Sequence, residues 1–186
     1  MEIHVYKDAE TIGTAAATLF AAHILENPSC VLGLATGSTP LPTYRKLVEF
    51  HRSGVLDFSR VTTFNLDEYI GLTHEHPQSY YYFMQENLFS HININQERIH
   101  VPSGTGKPEE NCRAYEKSIA QAGGIDLQIL GIGRNGHIAF NEPADHFPAM
   151  THTVDLTEST IEANKRFFDK AEDVPRQAIS MGIGSI

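Results

Sequence analysis

The stretch "CVLGLATGSTP" (30–40) decides the fold class. Its first six residues form a continuous apolar run, which is typical of a strand covered on both faces of a parallel sheet. A turn at Gly37, two hydroxyl side chains and a proline follow, and they open a predicted helix over 38–54. A helix that starts behind a glycine turn favours an anion, because its first backbone N–H groups are free. The stretch therefore predicts an α/β protein with an anion-binding turn.

Strand and helix patterns alternate along the rest of the chain. We predict further strands at 2–6, 60–66, 98–101, 125–132, 151–156 and 177–183. We predict further helices at 8–26, 79–89, 108–124 and 157–168. Strands separated by helices predict a mostly parallel sheet with helices on both faces. We therefore expect a single three-layer α/β/α domain over 1–186, doubly wound and Rossmann-like.

Three of these helices carry candidate N-terminal caps. Asp8 precedes the first helix, and Ser38 opens the second. Ser159 and Glu162 have the spacing of a capping box near the start of the last helix. For Ser38, plain helix capping and anion binding remain open alternatives.

Charge and cysteine content narrow the partners and the compartment. Lys and Arg total 14 against 23 Asp and Glu, a formal net charge of −9. An acidic surface repels phosphate backbones, so we expect no nucleic-acid partner. Cys30 and Cys112 belong to no C-x-x-C motif, which favours a reducing cytoplasm. The start lacks a signal-peptide pattern, and the most apolar stretch, 15–25, is too short to cross a bilayer, so we expect no membrane association.

Three strands end in chemically unusual residues. Besides the turn after 30–35, these are "FNLDEY" (64–69) and "GIGRNGHIAFNEP" (131–143). In open α/β sheets, ligands bind beyond the carboxyl ends of the strands, near a switch in strand order. We therefore expect an anion loop, a carboxylate and an imidazole at one edge of the sheet.

The anion loop differs from a nucleoside-triphosphate loop. Ser38 and Thr39 add hydroxyl donors to the backbone N–H groups, but no Gly-Lys-Ser/Thr follows. This pattern favours a small phosphate ester as the ligand.

The G-x-G-x-x-G at 131–136 does not predict a dinucleotide site. Such a loop must run into a helix, whereas 137–148 contains two prolines and no helical period. We expect the glycines to turn the backbone tightly and to deliver Asn135, His137 and Glu142 to the sheet edge. This group suits proton transfer near neutral pH. The alternative is a loop histidine that only forms hydrogen bonds with its neighbours.

Asp67 is the candidate carboxylate of the second strand end. It is placed to act as a general base, and capping of the next turn is the alternative. His74 and His76 have a metal-like spacing but lack a well-placed third ligand, so we expect no metal. The segment 79–83 is expected to pack in the core and to form a wall of the site.

The chain resembles the glucosamine-6-phosphate deaminase family. The resemblance rests on "LGLATGSTP", "FNLDEYIGL", "EHPQSYYYFM", "GIGRNGHIAFNEP" and "NKRFFDKAEDVPRQAISMGIGSI". It implies the fold that 6-phosphogluconolactonases and ribose-5-phosphate isomerases share. It also implies conversion of glucosamine 6-phosphate and water to fructose 6-phosphate and ammonia, with no organic cofactor.

The resemblance also implies a role for each site residue. Asp67 would move a proton between C2 and C1 of the opened sugar. His137 would transfer the proton for ring opening, supported by Glu142 and Asn135. The substrate phosphate would be bound by Gly37, Ser38, Thr39 and Arg166.

The chain departs from the family pattern at three places. Asn135 stands where many members have Asp, so Glu142 alone would supply negative charge near the imidazole. Members continue past the last residue here, so we expect a missing C-terminal segment that includes a phosphate-binding lysine. Longer members are hexamers activated by N-acetylglucosamine 6-phosphate through a basic pair, which falls on His152 and Val154, so we expect no such activation.

The function and the oligomeric state stay open at the sequence level. A lactonase of the same superfold and a non-catalytic sugar-phosphate sensor are the alternative functions. The oligomeric state is open between a monomer and a homo-oligomer.

Overall fold

A computed structural model describes residues 1–165, 168, 170 and 173–186. The helices are α1 (Ala9–Glu26), α2 (Leu41–Arg52), α3 (Tyr80–Asn87), α4 (Pro108–Gln121) and α5 (Glu158–Asn164). The strands are β1 (Val31–Leu34), β2 (Thr62–Asn65), β3 (Asp67–Tyr69), β4 (Ile99–His100), β5 (Leu127–Gln128), β6 (His152–Asp155) and β7 (Gln177–Ser180). Two short 3₁₀ turns lie at Phe89–His91 and Gln96–Arg98. None of the helices in this described part is long and apolar enough to cross a membrane.

Four strands form the predicted parallel sheet, in the order β4-β2-β1-β5. From β1 the chain moves outward to β2 and β4, and then crosses to the other side of β1 to form β5. The switch in strand order therefore lies between β1 and β5, which is where such folds bind ligands.

The remaining three strands form a separate antiparallel sheet, in the order β3-β7-β6. The strands predicted at 151–156 and 177–183 therefore do not belong to the parallel sheet, and β3 was not predicted as a strand. The difference arises because β7 runs back beside β3, pairing Ser180 with Asp67 and Ala178 with Tyr69.

Helices cover both faces of the parallel sheet, as predicted. Leu32 and Leu34 pack in one buried cluster with side chains from α1, α2 and α3. Val31 and Phe64 pack in a second cluster with side chains from α4. The alternation along β1 therefore separates the two cores, and the doubly wound α/β class is confirmed.

The predicted strand at 2–6 is wrong. Residues 1–6 have no strand pairing, and Ile3 and Val5 are 74% and 90% exposed. Their alternating pattern is typical of a strand, but a strand is stable only beside a pairing partner. The predicted strand at 125–132 pairs only over Leu127–Gln128.

The helix caps are partly as predicted. Asp8 caps α1, since its carboxylate accepts the Thr11 backbone N–H at 2.8 Å. Ser38 does not cap α2, because α2 begins at Leu41 and its N-cap position is held by Pro40, which offers no side-chain acceptor. The capping box is also wrong: the hydroxyl of Thr157 accepts the N–H of Thr160 and caps α5.

Candidate active site

The segments that follow β2, β1 and β5 lie side by side. The Leu66 N–H donates to the Leu34 carbonyl at 3.2 Å, and the Ile129 N–H donates to the Gly33 carbonyl at 3.0 Å. These bonds continue the parallel pairing past the strand ends and place the turn after β1 in the middle. The structure thus brings the three predicted loops to one edge of the sheet.

The turn after β1 is held by a buried tyrosine on α2. The Tyr44 hydroxyl donates to the Ala35 carbonyl at 2.5 Å and accepts the Ala35 N–H at 3.1 Å. Burial raises the pKa of Tyr44 strongly, so the phenol stays a neutral donor. Gly37 has a φ of +97°, a conformation that favours glycine. The turn then presents Gly37, Ser38 and Thr39 to solvent.

The loop after β5 contains a hydrogen-bonded series of three side chains. The Asn135 Nδ2–H donates to Glu142 Oε2 at 2.5 Å, and Asn135 Oδ1 lies 2.7 Å from His137 Nδ1. An amide oxygen can only accept, so Nδ1 carries the proton in this arrangement. Nε2 of His137 is therefore left with a free lone pair that can accept a proton.

The glycines of this loop allow a tight backbone turn, as predicted, and leave room for the His137 ring. A Cβ placed on Gly133 would lie 2.1 Å from Cε1 of His137. The Gly133 N–H donates to the His137 carbonyl at 2.8 Å, and Gly136 has a φ of +93°. No helix begins within the described residues 137–148. The loop therefore lacks the element that a dinucleotide site requires.

Two further residues, which the sequence analysis missed, anchor this loop to the strands. The buried Asn141 donates through Nδ2 to the carbonyls of Ile138 (3.0 Å) and Met181 (2.8 Å). The Phe140 N–H donates to the Ser180 hydroxyl at 3.2 Å. Ser180 pairs with Asp67 across β7 and β3. The loop at 131–143, here called the histidine loop, is therefore tied to the strand that carries the carboxylate.

Asp67 is a buried carboxyl group, with 8% of the residue exposed. It receives no hydrogen bond from any residue that the structure describes, so capping of the next turn is excluded for this part of the chain. Burial raises the pKa of Asp67 to about 8, and the neighbouring charge of Glu68 contributes to the rise. A carboxyl group that titrates near neutral pH is suited to act as a base.

Glu68 accepts the first backbone N–H groups of the following helix, α3. Its fully buried carboxylate accepts the backbone N–H groups of Tyr69 (2.9 Å), Tyr80 (2.9 Å) and Tyr81 (3.0 Å). Burial raises the pKa of Glu68 to about 7, against the lowering effect of these three bonds. The sequence analysis missed this role, since adjacent acidic residues more often lie at the surface.

Aromatic rings form a wall beside Asp67. Tyr69 lies 4.8 Å from Tyr80 and 6.0 Å from Phe140, measured between ring centroids. Burial and then the nearby Asp67 raise the pKa of Tyr80 well above its usual range. The predicted core-and-wall role of 79–83 is confirmed for Tyr80, whereas Tyr82 is exposed.

Three candidate residues remain, namely Arg166, His74 and His76. Arg166 falls outside the described residues. His74 stacks on Tyr81 with ring centroids 4.0 Å apart, and His76 Nδ1 accepts the Gln78 N–H. No group of three or more His, Cys, Asp or Glu among the described residues is placed to hold a metal ion.

Two hollows of about 310 and 220 Å³ lie beyond β4 and share His74 and Ser103. Neither is lined by a predicted site residue.

Comparison with known proteins places this chain in a class of sugar-phosphate proteins. The family model described as "Glucosamine-6-phosphate isomerases/6-phosphogluconolactonase" matches residues 7–167. The chain belongs to this family.

Several relatives share one name. The glucosamine-6-phosphate deaminase of Thermoanaerobacter sp. (strain X514) is 57% identical, over 100% of this chain and 74% of the relative. The enzyme of the same name from Clostridioides difficile (strain 630) is 55% identical, over 100% and 75%.

Solved structures show the same fold. A monomeric glucosamine-6-phosphate deaminase, 44% identical, matches 100% of this chain and 78% of its own with a TM-score of 0.96. The 6-phosphogluconolactonase of Thermotoga maritima, 23% identical, matches 96% and 75% with a TM-score of 0.71. The lactonase likeness concerns the fold alone.

Proposed function

We infer that this chain is an enzyme that converts glucosamine 6-phosphate and water to fructose 6-phosphate and ammonia, in amino-sugar catabolism. Relatives named glucosamine-6-phosphate deaminase are 53–57% identical over the full chain, which supports this activity over the lactonase and sensor alternatives. The observation that carries the residue roles is the series Glu142–Asn135–His137 at the sheet edge that also bears Asp67.

The reaction needs two different proton transfers. Ring opening moves a proton between O1 and O5 of the sugar, and isomerisation moves one between C2 and C1. An imidazole in a partly exposed loop can transfer a proton between two oxygens. Removal of a proton from carbon needs a stronger base that is shielded from water. Two groups in two environments meet these needs.

We propose that His137 opens the ring. Asn135 holds Nδ1, so Nε2 takes the proton from O1 and returns it to O5. Glu142 bonds the amide of Asn135 and thereby fixes which of its ends faces the ring. The charge of Glu142 reaches the imidazole only across this amide.

We propose that Asp67 is the carbon base. Its carboxylate removes the proton from C2 of the open-chain sugar and delivers one to C1, while O1 gains a proton and the amine nitrogen loses one, which leaves an imine at C2. Water then adds to the imine carbon, and ammonia departs with fructose 6-phosphate as the product. The raised pKa makes Asp67 a stronger base than an ordinary carboxylate.

We propose that the turn after β1 binds the phosphate. The backbone N–H groups behind Gly37 and the hydroxyls of Ser38 and Thr39 supply donors. Arg166 is proposed as the cation of this site by resemblance alone.

A small sugar phosphate is thus the proposed partner, and we propose the cytoplasm as the location. Cys30 and Cys112 are both buried and unpaired, in keeping with a reducing compartment.

Product analysis with purified protein tests the activity. We expect ammonia and fructose 6-phosphate in equal amounts from glucosamine 6-phosphate, and no faster hydrolysis of 6-phosphogluconolactone than in buffer. Lactone hydrolysis without ammonia release would replace the deaminase by the lactonase alternative. Binding of the sugar phosphate without turnover would favour the sensor.

A further inference from the structure

Glu68 is a fully buried charge that the mechanism above does not use. Its two carboxylate oxygens accept three backbone N–H groups, one on β3 and two in the first turn of α3. Ser79 already caps the same turn through the Tyr82 N–H at 3.0 Å. Two side chains, Glu68 and Ser79, therefore accept N–H groups at the start of α3. A neutral side chain would suffice for capping alone.

We propose that Glu68 is a positioning residue for the proposed reaction, which ties β3 to α3 and holds a fixed negative charge beside Asp67 that strengthens Asp67 as a base. This inference rests on the proposed function of Asp67.

The hydrogen bonds decide which of the two carboxyl groups ionises first. Glu68 accepts three N–H bonds, one from β3 and two from the positive end of α3, and each favours its charged form. Asp67 receives none from the described residues. Glu68 therefore ionises first, and its charge then opposes ionisation of Asp67, whose pKa rises.

The other titratable groups around Asp67, among the described residues, are phenols. They are Tyr69 on β3, Tyr80 on α3 and Tyr115 on α4. Burial raises the pKa of each, to about 12 for Tyr69, so all three stay neutral near pH 7. Glu68 is then the one charge in the described surroundings that acts on Asp67 over the working pH range.

The pH dependence of kcat/KM separates this role from plain helix capping. Glu68→Gln removes the charge and keeps the size, whereas Ser79→Ala weakens the same helix start without changing charge. We expect the acid limb of Glu68→Gln to lie roughly one pH unit below that of wild type, the scale of coupling between adjacent carboxyl groups. We expect Ser79→Ala to keep the wild-type limb. The ionisations of the substrate are common to all three proteins.

Equal limbs in wild type and Glu68→Gln, or equal displacements in both variants, would overturn the inference. Should Glu68→Gln not fold, ¹³C-carboxyl NMR of the wild-type protein gives the same decision, with Asp67→Asn to assign the Asp67 signal. Glu68 is expected to titrate at the lower pH of the two, and the reverse order would overturn the inference. A wild-type protein that releases no ammonia contradicts the proposed function, while the order of titration still tests the electrostatic arrangement.

Discussion

The histidine loop and the Asp67 strand stand at one edge of the sheet, but the protein prepares their reactive groups in opposite ways. His137 is partly exposed and is oriented by a hydrogen-bonded amide. Asp67 is buried, its carboxyl group receives no hydrogen bond from the described residues, and burial and a neighbouring charge raise its pKa. Proton transfer between oxygens needs mainly orientation, whereas transfer at carbon needs a strong base. The difference between the regions matches the two proton transfers that we propose for His137 and Asp67.

The largest expected effect in the histidine loop is the loss of the imidazole. His137→Gln keeps a polar side chain but removes the imidazole that would transfer the proton. We expect kcat to fall by roughly 10²–10⁴-fold, the usual size of a general acid–base contribution. Steady-state ammonia release measures it. A loss of less than threefold would mean that ring opening does not depend on this residue.

A smaller effect is expected where only the orientation of the imidazole changes. In Gly133→Ala the new Cβ would lie 2.1 Å from the His137 ring, so the ring must move. We expect kcat to fall by about 10-fold or more, since small misplacements are costly in catalysis. Gly131→Ala is the matched control, because nothing lies within 4 Å of its Cβ. Equal losses in both variants would point to a general fault in the loop.

Asn135→Asp sharpens the comparison through charge. A second carboxylate beside Nδ1 would stabilise the imidazolium by charge, which the amide cannot do. We expect the corresponding limb of the kcat/KM profile to move to higher pH, with a modest change in the maximal rate. An unchanged limb would show that orientation, and not charge, is the whole contribution of residue 135.

The two buried carboxyl groups should make the stability of the protein depend on pH. Asp67 and Glu68 have raised pKa values in the folded state, so the folded protein binds more protons than the unfolded chain between roughly pH 4 and 8. The free energy of unfolding should therefore fall as pH rises through this window. Asp67→Asn should raise the unfolding midpoint more at pH 8 than at pH 5. Urea titrations at the two pH values check this, and an equal effect at both would contradict the buried charge.

The smallest expected effect is none at all. His152 and Val154 on β6 stand where the family resemblance places a basic pair, and Val154 cannot bind a phosphate. An activator must bind one conformational state better than another. We therefore expect hyperbolic rates that N-acetylglucosamine 6-phosphate leaves unchanged. Sigmoidal rates that become hyperbolic on its addition would contradict this.

The sequence predicted the positions of the reactive loops better than their surroundings. The apolar run at 30–35 and the strand patterns before Asp67 and His137 predicted parallel strands, and their ends had to meet at one edge. The orienting role of Asn135 was also visible, because an amide two residues from a histidine can reach its ring.

Long-range pairing was not predictable from local pattern. The three residues of β3 include two acids, and only pairing with β7 makes them a strand. The buried capping role of Glu68 depends on the same pairing and on α3, twelve residues further on. Conversely, 2–6 has a strand pattern but no neighbour to pair with among the described residues. The roles of Arg166 and of the turn at 37–39 stay predictions.

Solvent exchange at the sugar carbon tests the central claim most directly. In D₂O, the proposed base exchanges its proton with solvent, so NMR should show deuterium at C1 of the fructose 6-phosphate formed by wild type. Asp67→Asn should show neither this deuterium nor ammonia release, while still binding the substrate. Asp57→Asn, an exposed Asp→Asn change on the connection between α2 and β2, should behave as wild type. Wild-type incorporation and turnover in Asp67→Asn would contradict the assignment of Asp67 as the carbon base.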